Sequence, residues 1–147
     1  MARVALLDVN VLVALFYAEH VHHEIAHDWF ADHRAGGWAT CPLTENGFVR
    51  VVAQLGQGEA TLRPKAIIEH LRRFCGDEHH HFWPDGISLT DPAVFDDTLV
   101  RGHRQVADVY LLGLARTMGG CLATLDDTIP IQAVRGATRG HLAVISA

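Results

Sequence analysis

Two short apolar runs constrain the fold of this 147-residue chain more than any other feature. Val4-Ala-Leu-Leu7 near one end and Cys121-Leu-Ala-Thr-Leu125 near the other are each of strand length, and each stops at an aspartate, Asp8 and Asp126. Trp38-Ala-Thr-Cys41 and Leu142-Ala-Val-Ile145 read as two further strands, with Ile87-Ser-Leu89 as a short additional candidate. Between them lie stretches with helical spacing. Val9 to Tyr17 follows the first run directly, and Ile25, Ala26, Trp29 and Phe30 share a face in a segment from Val21 to Gly36-Gly37. Pro42 opens a stretch reaching Gly56, and Pro64 opens another with Ile67, Ile68 and Leu71 inward and Arg63, Lys65, Arg72 and Arg73 outward. Val106 to Met118 is the last. Strands alternating with helices, without tandem hairpin turns, predict a layered α/β fold around a mostly parallel sheet. The segment from Gly76 to Pro92 is irregular and reads as a connection rather than a boundary, so a single domain over 1–147 is expected.

Composition narrows the function. Apolar residues make up 49% of the chain and charged residues 20%, which suits one compact core and excludes a disordered segment. Met1 to Ala18 has the early Arg and apolar stretch of a signal sequence, but Asp8 and Asn10 interrupt it. A soluble, unprocessed cytoplasmic protein with no membrane association is expected. The formal charge of −5 lacks the basic footprint of a duplex-coating protein, although eleven Arg and the single Lys65 leave room for a local cationic patch. Cys41, Cys75 and Cys121 are odd in number and widely spaced, which argues against a disulfide framework or a thiolate zinc site and for a reducing compartment.

In a parallel sheet, residues that follow the strands line the crevice at their carboxyl ends. Asp8 and Asp126 do so on two strands, and Glu45 lies in the first helical turn after a third. Asp108 is the one charge in Val106 to Ala115, a helix so apolar that it must be buried. Each acid alone is well explained as a helix cap. Four gathered at one sheet edge would repel, and would either take up protons or recruit cations; oxygen donors without a nearby cysteine suit Mg²⁺, with Mn²⁺ as a substitute. A carboxylate-held divalent cation supplies the chemistry of phosphodiester hydrolysis, and it turns a pocket that repels phosphate into one that attracts it.

The segments Asp8-Val-Asn10-Val-Leu, Thr44-Glu45, His103-Arg104-Gln-Val-Ala-Asp108-Val-Tyr-Leu-Leu-Gly-Leu-Ala and Ala123-Thr124-Leu-Asp126 resemble the four signature segments of PIN-domain ribonucleases. The chain is most similar to the VapC toxins of bacterial type II toxin–antitoxin pairs. The resemblance implies a three-layer α/β/α PIN-like fold in which Asp8 and Asp108 are the principal Mg²⁺ ligands. Glu45 and Asp126 would complete the quartet, holding metal or positioning water, while Asn10 and Thr124 orient the ligands through hydrogen bonds. It further implies endoribonuclease action on structured RNA such as tRNA or rRNA, a homodimer, and a cognate antitoxin protein. In-line attack on phosphorus by a metal-activated water would leave 5′-phosphate and 3′-hydroxyl ends. Asp127 competes with Asp126 for the inward position, and the Thr124-x-Asp126 register favours Asp126.

Other signals compete. His23-Glu-Ile-Ala-His27 matches a zinc-protease helix, but Asp28 follows it, a third ligand is not evident, and the apolar face leaves both His at its edge. His79-His80-His81 offers adventitious metal ligands, but a solvated loop is the stronger reading. His103 and Arg104, within two turns of Asp108, are candidates for contact with RNA phosphate or for a helix cap. A strand ending in Asp is also how haloacid-dehalogenase-like phosphatases present their nucleophile, but Asn10 stands where those enzymes carry a second acid. A non-catalytic dimeric binding module, with acids that only cap helices, is the remaining alternative.

Overall fold

The computed structural model describes residues 3–146. Strand β1 (Ala5–Leu7) lies at the centre of a five-stranded sheet. It pairs on one side with β2 (Trp38–Thr40) and on the other with β4 (Cys121–Thr124), with Leu6 opposite Ala39 and Leu122. The outer strands are β3 (His80–Phe82) beside β2 and β5 (Leu142–Val144) beside β4. Every pairing is parallel, so every strand ends at the same edge.

Alternation along these short strands sorts side chains into two cores. Leu6, Ala39 and Leu122 face one, built mainly on α5 (Val106–Thr117). Ala5, Leu7, Trp38, Cys121 and Ala123 face the other, filled by α1 (Val9–Phe16), α3 (Pro42–Gly56) and α4 (Pro64–Phe74), with α2 (His23–His33) along its margin. Helices on both faces of a parallel sheet give the three-layer α/β/α arrangement. Residues Val109 to Ala115 of α5 are all buried, which its uniformly apolar sequence demands; each leucine among them contributes about 1.5–3 kcal/mol by leaving water. Gly113 lets α5 approach Phe95, since a Cβ there would lie 2.5 Å from its ring.

Local chemistry sets the helix starts at the carboxyl edge. Asp8 has extended backbone and is the N-cap of α1. At the start of α3, the Cys41 amide donates to Thr44 Oγ1, the Thr44 hydroxyl donates to the Cys41 carbonyl, and Pro42 occupies a position that needs no donor. The Leu43 amide donates to Asp85 Oδ2 from the following connection, satisfying another free donor of the first turn.

Two expectations are corrected. Ile87-Ser-Leu89 is not a strand: Pro84 and Gly86 turn the chain before it, and Ile87 packs singly against the α5 core. The remaining strand is instead His80–Phe82, within the supposed solvated His loop, paired with β2 through Trp38↔His80. An edge strand with one covered face needs no apolar run, so its sequence carries no strand signal. Among the described residues no helix is long and apolar enough to cross a membrane. The three cysteines are free.

Candidate active site

The buried polar side chains among the described residues are Asp8, Thr40, Thr44 and Thr124, and all four stand at or just beyond the carboxyl ends of β1, β2 and β4. Polar groups are expensive to bury, so their concentration at one edge marks the place where the fold does something besides packing. Asp8 is 5% exposed. Its amide donates to the Ala123 carbonyl, which locks β1 to β4 at the point where both end. The Thr124 hydroxyl donates to Asp8 Oδ2 at 2.8 Å, and the amides of Val9 and Asn10 face the same carboxylate without closing a capping hydrogen bond. Burial nonetheless outweighs these donors and raises the Asp8 pKa, with the charge of Asp126 adding to it.

Thr124 also accepts the Asp126 amide at 3.1 Å, so one fully buried hydroxyl fixes two acids. Asp126 Oδ1 accepts from the Thr128 amide and hydroxyl, at 2.8 and 2.6 Å, and among the described residues no donor reaches Oδ2. Asp126 is half-buried and bears on Asp8 and Asp108, whereas Asp127 is exposed. Asp108, in the first turn of α5, is pushed up to about 7 by burial and then by the charges of Asp8 and Asp126. No hydrogen bond or ion pair engages its carboxylate among the described residues.

Asp8, Asp108 and Asp126 thus form a mutually repelling trio in which, among the described residues, no side-chain ion pair relieves the charge. Oxygen-only donors with unrelieved negative charge fit a hard divalent cation and suit neither a soft metal nor an organic cofactor. Glu45 stands to one side of these three. Its Oε2 accepts from the Thr40 hydroxyl at 2.7 Å, and it bears on Cys75 and His80 rather than on the aspartates. Asn10 is exposed, and it is its backbone rather than its side chain that faces Asp8. His103 and Arg104 occupy the turn leading into α5, exposed and, among the described residues, without side-chain hydrogen bonds. His23 bonds through Nδ1 with the Ala14 carbonyl at 2.6 Å, and His27 is exposed; no third ligand joins them among the described residues.

The PIN domain family matches residues 5–134, which include all four acids. The chain is 41% identical to Ribonuclease VapC44 of Mycobacterium tuberculosis over 141 residues, covering 96% of this chain and 99% of that one. It is 39% identical to Ribonuclease VapC39 of the same organism over 132 residues, 90% and 95% of the two chains. With Ribonuclease VapC29, also of that organism, it shares 46% over 121 residues, 82% and 84%. The chain belongs to the PIN domain family. The haloacid-dehalogenase-like alternative falls with that match.

Within this PIN domain, sequence reasoning missed Thr128, Thr40 and His80. Thr128 follows Asp126 at the spacing of an Asx turn, a signal present in Asp126-Asp127-Thr128. Thr40 and His80 meet only through strand pairing, and no local pattern announces them.

Proposed function

We propose that this PIN-domain protein is a divalent-cation-dependent endoribonuclease acting on structured RNA, tRNA or rRNA, as the toxin of a toxin–antitoxin pair. The observation that carries the reading is the trio of unrelieved carboxylates at the sheet edge, in a chain whose relatives are named ribonucleases. Asp8, Asp108 and Asp126 would hold Mg²⁺ or Mn²⁺, and Glu45 is the fourth acid, which helps hold the cation or position water. When bound, the cation supplies positive charge to the scissile phosphate and lowers the pKa of water.

The chain's own groups prepare the site. Thr124 holds the Asp8 carboxylate and the Asp126 backbone, and the paired donors of Thr128 orient the Asp126 carboxylate. Burial of Asp8 excludes water from behind the carboxylate, which strengthens its hold on a cation in front. His103 and Arg104, exposed beside the first turn of α5, are assigned to the RNA backbone. A homodimer, a cytoplasmic location and inhibition by an antitoxin protein belong to the same reading. RNA cleavage by wild type and Asp8→Asn, with Mg²⁺ or EDTA, tests it. Cleavage confined to wild type with Mg²⁺, leaving 5′-phosphate and 3′-hydroxyl ends, is expected. Undiminished cleavage in EDTA removes the metal role, and an inactive wild type favours a binding module.

A further inference from the structure

Beside the aspartate trio, a second group of donors converges that the proposed reaction does not use as a set. The Glu45 carboxylate from the first turn of α3, the Cys75 thiol at the end of α4 and the His80 ring from β3 bring their ligating atoms within 4.8 Å of one another. All three are half-buried. Thr40 Oγ1 stands among them, 2.7 Å from Glu45 Oε2 and 2.8 Å from His80 Nε2. Its single proton goes to one partner, so with Glu45 as acceptor His80 donates to the hydroxyl. The 15-residue helix α3, the α4 terminus and the β2–β3 pairing present these side chains from three directions. Tetrahedral zinc, with bonds of about 2.0–2.3 Å, needs donors about 3.5 Å apart, a contraction that side-chain rotation supplies.

We propose that Glu45, Cys75 and His80 form a zinc site separate from the aspartate trio, and that zinc bound there withholds Glu45 from that centre and slows RNA cleavage. The donor set decides the ion. Thiolate and imidazole select Zn²⁺ over Mg²⁺, whereas the trio beside it offers oxygen alone. Three protein ligands leave a fourth position for water. On binding, the Cys75 S–H bond breaks, its proton passes to buffer and a sulfur–zinc bond forms, while His80, as the neutral imidazole, gives zinc the lone pair of the ring nitrogen that carries no proton, with no change of oxidation state. The widely spaced cysteines that argue against a thiolate zinc site in the sequence hide this one, because its ligands lie 30 and 5 residues apart. The inhibitory half rests on Glu45 acting as the fourth acid; the binding half does not.

Cobalt(II) titration of the full chain carrying Asp108→Asn tests binding without reference to activity. A thiolate-to-cobalt charge-transfer band that saturates at one equivalent, is bleached by Zn²⁺ and vanishes in Cys75→Ser is expected. His80→Gln should weaken cobalt binding at least about 10-fold. Absence of the band, or its survival in Cys75→Ser, overturns the site. For the inhibitory half, Zn²⁺ in excess Mg²⁺ should slow RNA cleavage by wild type about 10-fold or more and spare Cys75→Ser. Equal inhibition of both overturns the coupling. A wild type inactive in Mg²⁺ alone instead defeats the nuclease reading, while the cobalt spectrum still decides the site.

Discussion

At the scale of single residues, Asp108 links the site to pH. Its folded-state pKa of about 7 lies above the ordinary 3.8, so between those values the folded protein holds more protons than the unfolded one. Stability without metal is therefore lost as pH rises from about 4 to about 7, and the loss is complete above that range. Taken whole, the shift is worth about 4 kcal/mol; screening at a half-exposed carboxyl reduces it to about 1–2 kcal/mol. In EDTA at pH 8, Asp108→Asn should melt higher than wild type, and the difference should shrink toward pH 4. Thr124→Ala removes the donor to the Asp8 carboxylate and the acceptor of the Asp126 amide. Cleavage should fall about 10–100-fold, with partial rescue in Thr124→Ser. The three aspartates could be read from sequence because each interrupts an apolar segment. The direction of the Glu45 carboxylate could not, because it depends on Thr40 and His80, brought together by strand pairing.

At the scale of elements, α5 was the easiest helix to read and is the one most sensitive to volume. Its single acid and otherwise apolar face define both its burial and its cleft-facing end. Gly113→Ala would drive a methyl into Phe95, itself 3% exposed and unable to move aside. A loss of about 1–3 kcal/mol is expected by thermal or denaturant unfolding. Strand β3 shows the opposite case. His80-His-Phe82 lies at the sheet margin with only half-buried or exposed side chains, so nothing in its residues distinguishes it from a loop. Ile87 attracted the strand reading because one inward apolar residue between turn formers mimics a short alternating pattern.

At the scale of the whole molecule, the net charge of −5 is unevenly spent. Part of it stands as unrelieved repulsion at the carboxyl edge, so a cation that binds only the folded trio stabilises the entire fold. At 100 times its dissociation constant it adds about 2.7 kcal/mol. Mg²⁺ should raise the melting temperature of wild type and leave Asp8→Asn with Asp108→Asn nearly unmoved, as calorimetry would show. The alternation of strands and helices was enough to foresee a parallel layered fold. The order β3-β2-β1-β4-β5 was not, because crossovers place sequence-distant strands side by side. That order also sets a timetable. Asp8 is made well before β4 and Asp126, which its neighbourhood requires. A ribosome making this chain meets no assembled acidic centre until Cys121–Thr124 has left the exit tunnel and paired with a strand synthesised more than a hundred residues earlier.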